Sequence, residues 1–140
     1  MSKAAVVFWS STGNTEACAQ FVAEGAKGAG VEVEVFSVDQ FDAANAAAYD
    51  AFALGCPAMG DEELEDSEFQ PFYESIKADL ASRKVVLFGS YDWGEGDWMK
   101  SWKEDAESAG ITLAADPVIV NNDPGDDDAE ALKALGAALA

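Results

Sequence analysis

Short apolar runs alternate along the whole chain with segments whose apolar residues recur every three or four positions, and no other feature restricts the fold as strongly. Ala4-Ala5-Val6-Val7-Phe8 is the first run. Val31 to Val38 alternates at period two, as a half-exposed outer strand does. Asp50 to Gly55 and Lys84 to Ser90 are short and apolar, hence buried strands. Ile111-Thr112-Leu113 and Val118-Ile119-Val120 make a fifth strand, interrupted around Asp116-Pro117. Between the runs lie helix patterns. Cys18, Phe21, Val22 and Gly25 mark one, stopped by Lys27-Gly28-Ala29-Gly30. Phe69, Phe72, Tyr73, Ile76 and Leu80 share one face of the next, with Ser67 and Gln70 spaced as a capping box. Trp98, Trp102, Ala106 and Ala109 mark a third, and Asp126 to Asp128 open a last one with Leu132, Leu135 and Leu139 inward. Asp39 to Asn45 is a turn-rich link beside a little alanine helix. Five strands alternating with four or five helices predict an α/β domain, a doubly wound parallel sheet covered on both faces. At 140 residues, positions 1–140 form one domain with room for a real core.

In such sheets ligands bind beyond the carboxyl ends of the strands, where the strand order reverses. The unusual residues gather at three of those ends: 10–15, 56–62 and 90–97. In the first, Trp9-Ser10-Ser11-Thr12-Gly13-Asn14-Thr15-Glu16 carries a strand directly into a helix. The helix's first N–H groups lack intrahelical partners, and its macrodipole adds partial positive charge there. Four hydroxyls and the Asn14 amide supply further donors, and Gly13 lets the backbone turn close to a ligand. No Lys or Arg lies between Lys3 and Lys27, so any anion held here is held by neutral donors. The nucleoside-triphosphate loop needs a lysine that is missing, and no Gly-x-Gly-x-x-Gly occurs. One terminal phosphate on a larger ligand fits. Taken alone, the loop equally fits an ordinary turn capping a helix, with Thr12 and Thr15 as a loose capping box.

Charge and side-chain chemistry remove several classes. The chain has 27 acidic and 8 basic residues, a net charge of −19, while 49% of it is apolar. It therefore folds rather than staying disordered, and it binds neither nucleic acid nor an anionic membrane through a basic patch. Partners with basic faces suit it. There is no histidine, and the two cysteines, Cys18 and Cys56, are far apart. A Cys/His zinc site, a Ser-His-Asp triad and a Cys-His pair are excluded within the chain. Ser10 and Ser11 stand where a magnesium-dependent phosphoryl-transfer domain would need carboxylates. With neither a signal peptide nor a span-length apolar run, a cytoplasmic location is expected.

Over its whole length the sequence resembles a flavodoxin of the short-chain kind. The resemblance rests on Trp9-Ser10-Ser11-Thr12-Gly13-Asn14-Thr15, on Gly55-Cys56-Pro57-Ala58-Met59-Gly60-Asp61-Glu62, and on Phe88-Gly89-Ser90-Tyr91-Asp92-Trp93-Gly94. It implies strand order 2-1-3-4-5, the order that flavodoxins exemplify, with the ligand at the switch between first and third strands. It also implies one non-covalent FMN. The phosphate falls to Ser10, Ser11, Thr12, Gly13, Asn14 and Thr15. The ring falls between the loop of Pro57, Ala58, Met59, Gly60, Asp61 and Glu62 and that of Ser90, Tyr91, Asp92, Trp93 and Gly94. Met59 and Trp93 are the implied faces of the sandwich and Glu62 the acceptor for the imide N–H. Trp9, Trp98 and Trp102 are assigned mainly to packing, with a place near the ring left open for Trp98. Asp92 stands where many relatives carry glycine.

The implied function is a low-potential electron carrier with no substrate reaction of its own; the alternative is a small FMN-dependent oxidoreductase. Gly60 is free to turn its carbonyl toward a singly reduced, protonated ring. One such bond is worth about 1 kcal/mol, or roughly 40 mV. Asp61, Glu62, Glu63, Glu65 and Asp66, with Asp92, oppose the doubly reduced anion, each by roughly 2 kcal/mol at about 8 Å before screening. Electrons are thus expected to pass singly between semiquinone and hydroquinone. Basic-faced reductases and low-potential acceptor enzymes are the expected transient partners of a monomer.

Overall fold

The computed structural model describes residues 3–10, 13–58, 64–65, 67–91, 96–122 and 124–140. Five parallel strands form one sheet: β1 (Lys3–Phe8), β2 (Glu32–Ser37), β3 (Ala51–Gly55), β4 (Lys84–Tyr91) and β5 (Val118–Asn121). Their order is β2-β1-β3-β4-β5, as the resemblance implies. Helices α1 (Asn14–Gly28), α2 (Phe69–Leu80), α3 (Asp97–Ser108) and α4 (Asp126–Ala137) alternate with the strands, and two short 3-10 turns span Val38–Gln40 and Ala43–Ala48. The fifth strand is interrupted as expected: Leu113 makes a lone bridge to Val85, and the strand proper begins at Val118. Among the described residues no helix is long and apolar enough to cross a membrane.

The period-two alternation of the strands sends side chains to two different cores. Ala5, Val7, Phe52, Leu54, Val85 and Leu87 face α2 and α3, where Phe69, Tyr73, Trp98 and Trp102 make a thick aromatic layer. Ala4, Val6, Ala53, Val86 and Phe88 face α1 and α4 through smaller residues such as Ala19, Ala23 and Ala26. Small side chains let those two helices cross closely. A Cβ added at Gly25 would lie 1.9 Å from the Lys133 carbonyl oxygen, and one at Gly136 would lie 1.9 Å from that of Val22.

The Ser67/Gln70 capping expectation is overturned, and of the alternative Thr12/Thr15 box only Thr15 lies among the described residues. Helix α1 starts at Asn14 with Gly13 before it, and the Thr15 hydroxyl pairs with Ser90 rather than with the helix end. Helix α2 starts at Phe69, and the Ser67/Gln70 box is not formed. The Gln70 amide donates to Glu74 Oε1 at 2.9 Å, and the Ser67 hydroxyl donates to Glu65. The Glu65 carboxylate takes the N–H groups of Ser67, Glu68 and Phe69, and Gln70 N donates to the Glu65 backbone carbonyl at 2.8 Å, so Glu65 does the capping. Charge-assisted bonds are about twice as strong as those a hydroxyl accepts.

Candidate functional site at the carboxyl ends of the strands

The sheet positions the site by carrying its hydrogen bonding past the strand ends. Trp9 N donates to Gly55 O at 3.0 Å, Cys56 N to Phe88 O at 3.2 Å, Ala58 N to Ser90 O at 3.0 Å and Asn122 N to Tyr91 O at 2.8 Å. Beyond β1 the chain makes its tight turn into α1. Gly13 N donates to Ser10 Oγ at 3.0 Å, which leaves the Ser10 hydroxyl proton for another acceptor. Gly13 itself lies at φ 94°, where a side chain is strained, and its carbonyl accepts from Ala17 N at 3.0 Å. With Asn14 and Thr15 in the first helical turn, N–H groups without intrahelical partners open toward the mouth of β1.

Thr15 and Ser90 join two of the three loops. Their hydroxyl oxygens lie 2.7 Å apart, both residues are buried, and 75 positions of sequence separate them. Since the Ser90 carbonyl also accepts from Ala58 N, Ser90 meets both the first and the second loop. Pro57 is half-buried, and Tyr91 packs obliquely on Trp98 with ring centroids 5.6 Å apart. Ser11, Thr12, Met59, Gly60, Asp61, Glu62, Asp92, Trp93 and Gly94 lie outside the described residues.

Three supports were not legible in the sequence. Trp98, fully buried, donates its indole N–H to Cys56 O at 3.1 Å and so pins the exit of β3 to α3. The Cys56 thiol accepts from Glu65 N at 3.3 Å and donates to Pro57 O at 3.5 Å. Burial pushes that thiol up to about 12 against the Glu65 N–H, so it stays protonated and unreactive. Glu65, expected among the exposed acids, is only 6% exposed. Its carboxylate accepts from Ser67 N at 2.9 Å, Glu68 N at 2.7 Å and Phe69 N at 2.8 Å, and from the Ser67 hydroxyl. Burial works to raise its pKa, but the Ser67 hydroxyl and the three backbone donors together hold it below the usual carboxylate range. Its position four residues before Phe69 is the one signal of this role, hidden because glutamate is not among the favoured capping residues. Trp98→Phe keeps an aromatic ring in the core but removes the bond to Cys56 O and leaves part of the indole's volume unfilled. It is expected to lower stability by about 2–4 kcal/mol, the lost bond and the unfilled volume together, read as a lower denaturation midpoint with an unchanged slope.

The electrostatics of this end of the sheet are one-sided. No Lys or Arg occurs in residues 28–76 or 85–99, which include the second and third loops, and none lies in the first. One base adjoins this end, Lys100, whose ammonium lies 3.8 Å from Asp97 where the third loop enters α3, while Lys3 pairs with Glu34 at the opposite end of the sheet.

The flavodoxin family profile matches residues 6–135. The chain is 45% identical over 135 residues to a flavodoxin of Megasphaera elsdenii, covering 96% of each. It is 43% identical over 125 residues to a flavodoxin of Clostridium beijerinckii, covering 89% of each. The solution structure of two-electron reduced Megasphaera elsdenii flavodoxin superimposes with a TM-score of 0.89 at 44% identity, covering 97% of each chain.

Proposed function

This chain belongs to the flavodoxin family, whose members bind FMN and carry electrons without converting a substrate, and from that premise we propose a low-potential one-electron shuttle holding one non-covalent FMN. The observation that carries the reading is the convergence at the switch between β1 and β3. There a helix N-terminus with neutral donors is tied through Ser90 to the exits of β3 and β4. The donor set fits a phosphate ester: the Ser10 hydroxyl has a proton to give, and the first turn of α1 presents N–H groups, with no lysine or arginine required.

On this reading Ser10, Ser11, Thr12, Gly13, Asn14 and Thr15 hold the phosphate. Pro57, Ala58, Met59, Gly60, Asp61 and Glu62 meet the ring from one side and Ser90, Tyr91, Asp92, Trp93 and Gly94 from the other. When bound, FMN supplies a centre that takes up and releases electrons one at a time. The chain's part is to hold it and to set the electrostatic conditions. In loops without a base, each carboxylate at about 8 Å opposes added negative charge by roughly 2 kcal/mol at an effective dielectric near 20, less as salt screens it. Several carboxylates outweigh one hydrogen bond of about 1 kcal/mol, so the second electron enters at the lower potential.

Anaerobic potentiometric titration of the FMN-loaded protein tests this. Two separated one-electron waves are expected, the second well below the first. A single two-electron wave overturns it, and rapid oxidation of NAD(P)H by the protein alone would instead favour an oxidoreductase with its own substrate. The acidic face would dock basic-faced reductases and acceptors transiently. Their association rates are expected to fall steeply with ionic strength, and rates indifferent to salt would remove that part of the proposal.

A further inference from the structure

We propose that the groove between α3 and the edge strand β5 is a strand-addition site. It takes an extended segment of a partner protein that carries an aliphatic side chain with carboxylates at alternate positions around it. The sheet ends at β5, and among the described residues no strand covers that edge. Asn122 N donates inward to Tyr91 O, and in a parallel ladder every second residue faces the neighbouring strand. Val118 and Val120 therefore bond to β4. The N–H and C=O of Ile119 and Asn121 face outward, which is the template an added strand needs. Ile119 is also the one large apolar side chain exposed among the described residues. It points toward α3, where a Cβ on Gly96 would meet its Cδ1 at 2.9 Å. Met99, Pro117 and Ile119 give the groove its apolar surface, and its volume is about 180 Å³. Small-molecule sites run to roughly 300–1,000 Å³, so this one suits a single side chain rather than a cofactor.

Charge selects the occupant. Two of the chain's 8 bases, Lys100 and Lys103, rim this groove in a molecule of net charge −19. Their pairs with Asp97 at 3.8 Å and Asp116 at 3.6 Å are loose and exposed, so a partner's carboxylates exchange into them at little cost. A basic segment would meet both ammonium groups, and a second copy would bring another −19 with it. Side chains alternate along a strand, so the residues two before and two after the aliphatic one share its face and reach the lysine rim. This surface goes beyond the electron-carrier reading and does not depend on what the mouth of the sheet holds. It stands apart from the acidic loops assigned to basic-faced partners, yet beside the mouth, because β5 ends against Tyr91. A partner anchored here is held at the sheet's carboxyl end in one register.

Backbone amide NMR shifts of the purified chain, titrated with acetyl-Thr-Glu-Thr-Leu-Thr-Glu-Thr-amide, test this. Saturable shifts at Met99, Lys100, Lys103, Ile119 and Asn121 are expected, with an affinity of about 1 mM, as suits a short segment that is ordered on binding. Replacing both glutamates of the peptide by lysine is expected to weaken binding at least about tenfold. Methylating the backbone nitrogen of the leucine or of the threonine after it blocks alternate edges of the peptide. One of the two is expected to lose at least about tenfold and the other to bind as before, since an added strand uses one edge only. Lys100→Glu combined with Lys103→Glu is expected to abolish binding, and Ile119→Thr, which keeps a strand former, to weaken it at least about fivefold. Should either variant fail to fold by circular dichroism, the other and the altered peptides carry the test. The proposal is overturned by the absence of saturable shifts up to about 10 mM peptide, or by shifts centred away from β5 and α3. Equal binding by the lysine peptide or by a folded variant overturns it too, as does loss of affinity by both methylated peptides or by neither. Shifts of the same amides on dilution of the protein alone would make a second copy the occupant and overturn it as well.

Discussion

Gly136→Ala is expected to lower the melting temperature by about 10 °C, from a loss of about 3 kcal/mol, although alanine is the better helix former. Helices α1 and α4 lie on one face of the sheet and cross with Gly136 of α4 against the backbone of Val22 and Ala26 and Gly25 of α1 against that of Lys133. The new methyl would sit 1.9 Å from Val22 O and 2.9 Å from Ala26 N. Both are backbone atoms of a neighbouring helix, so no rotamer change relieves the clash, and α1 and α4 must move apart. Propensity returns only about 1 kcal/mol. The mirror substitution Gly25→Ala meets Lys133 O at the same 1.9 Å and is expected to behave alike. Gly28→Ala is the control. It lies in the same α1 helix with nothing within 4 Å of the added carbon, so a small gain of about 0.5–1 kcal/mol is expected. Thermal unfolding of the three variants checks all of this, and a Gly136→Ala protein as stable as Gly28→Ala would show the close crossing to be absent.

Glu65→Ala is expected to destabilise by about 3 kcal/mol and to change how stability responds to acid. Removing the carboxylate leaves the N–H groups of Ser67, Glu68 and Phe69 without their acceptor in a site that is largely closed to water. The carboxyl is held below its ordinary value in the folded state, so the unfolded chain takes up the proton at higher pH than the native one. Its contribution is therefore fully present above the unfolded value and fades as pH falls through the folded one. In urea titrations from neutral pH downward, the difference in stability between wild type and Glu65→Gln is expected to shrink across that acidic window. A difference that stays constant would place the charge of Glu65 outside the cap. Acidic loops are usually sources of repulsion relieved by protonation; here one member of the run works in the opposite sense.

Much of this was legible because it follows from local periodicity. The period-two run of β2 with its exposed Glu32 and Glu34, the buried apolar runs of β1 and β3, and the faces of α2 and α3 all lie where the pattern puts them. The helix stop at Lys27-Gly28-Ala29-Gly30 is equally local: Gly30 N donates to Lys27 O at 3.0 Å and Val31 N to Ala26 O at 3.0 Å. The supports of the site were not legible, because each pairs residues remote in the chain. Trp98 and Cys56 are 42 positions apart, and Thr15 and Ser90 are 75 apart. Nothing in either local context distinguishes a hydroxyl offered to a ligand from one spent on another strand.

By itself, then, the order of residues determined an alternating α/β chain with buried central strands, an anion-tolerant turn after the first of them, and an acidic surface. These depend on side-chain spacing and charge, which act over a few residues or over the whole molecule regardless of its path. The tertiary structure alone decided which polar groups were already satisfied: Glu65 became a cap, Cys56 an inert acceptor, and Thr15 the partner of Ser90. A hydrogen bond is made or missed within a fraction of an ångström, and only the packed sheet brings distant segments to that separation.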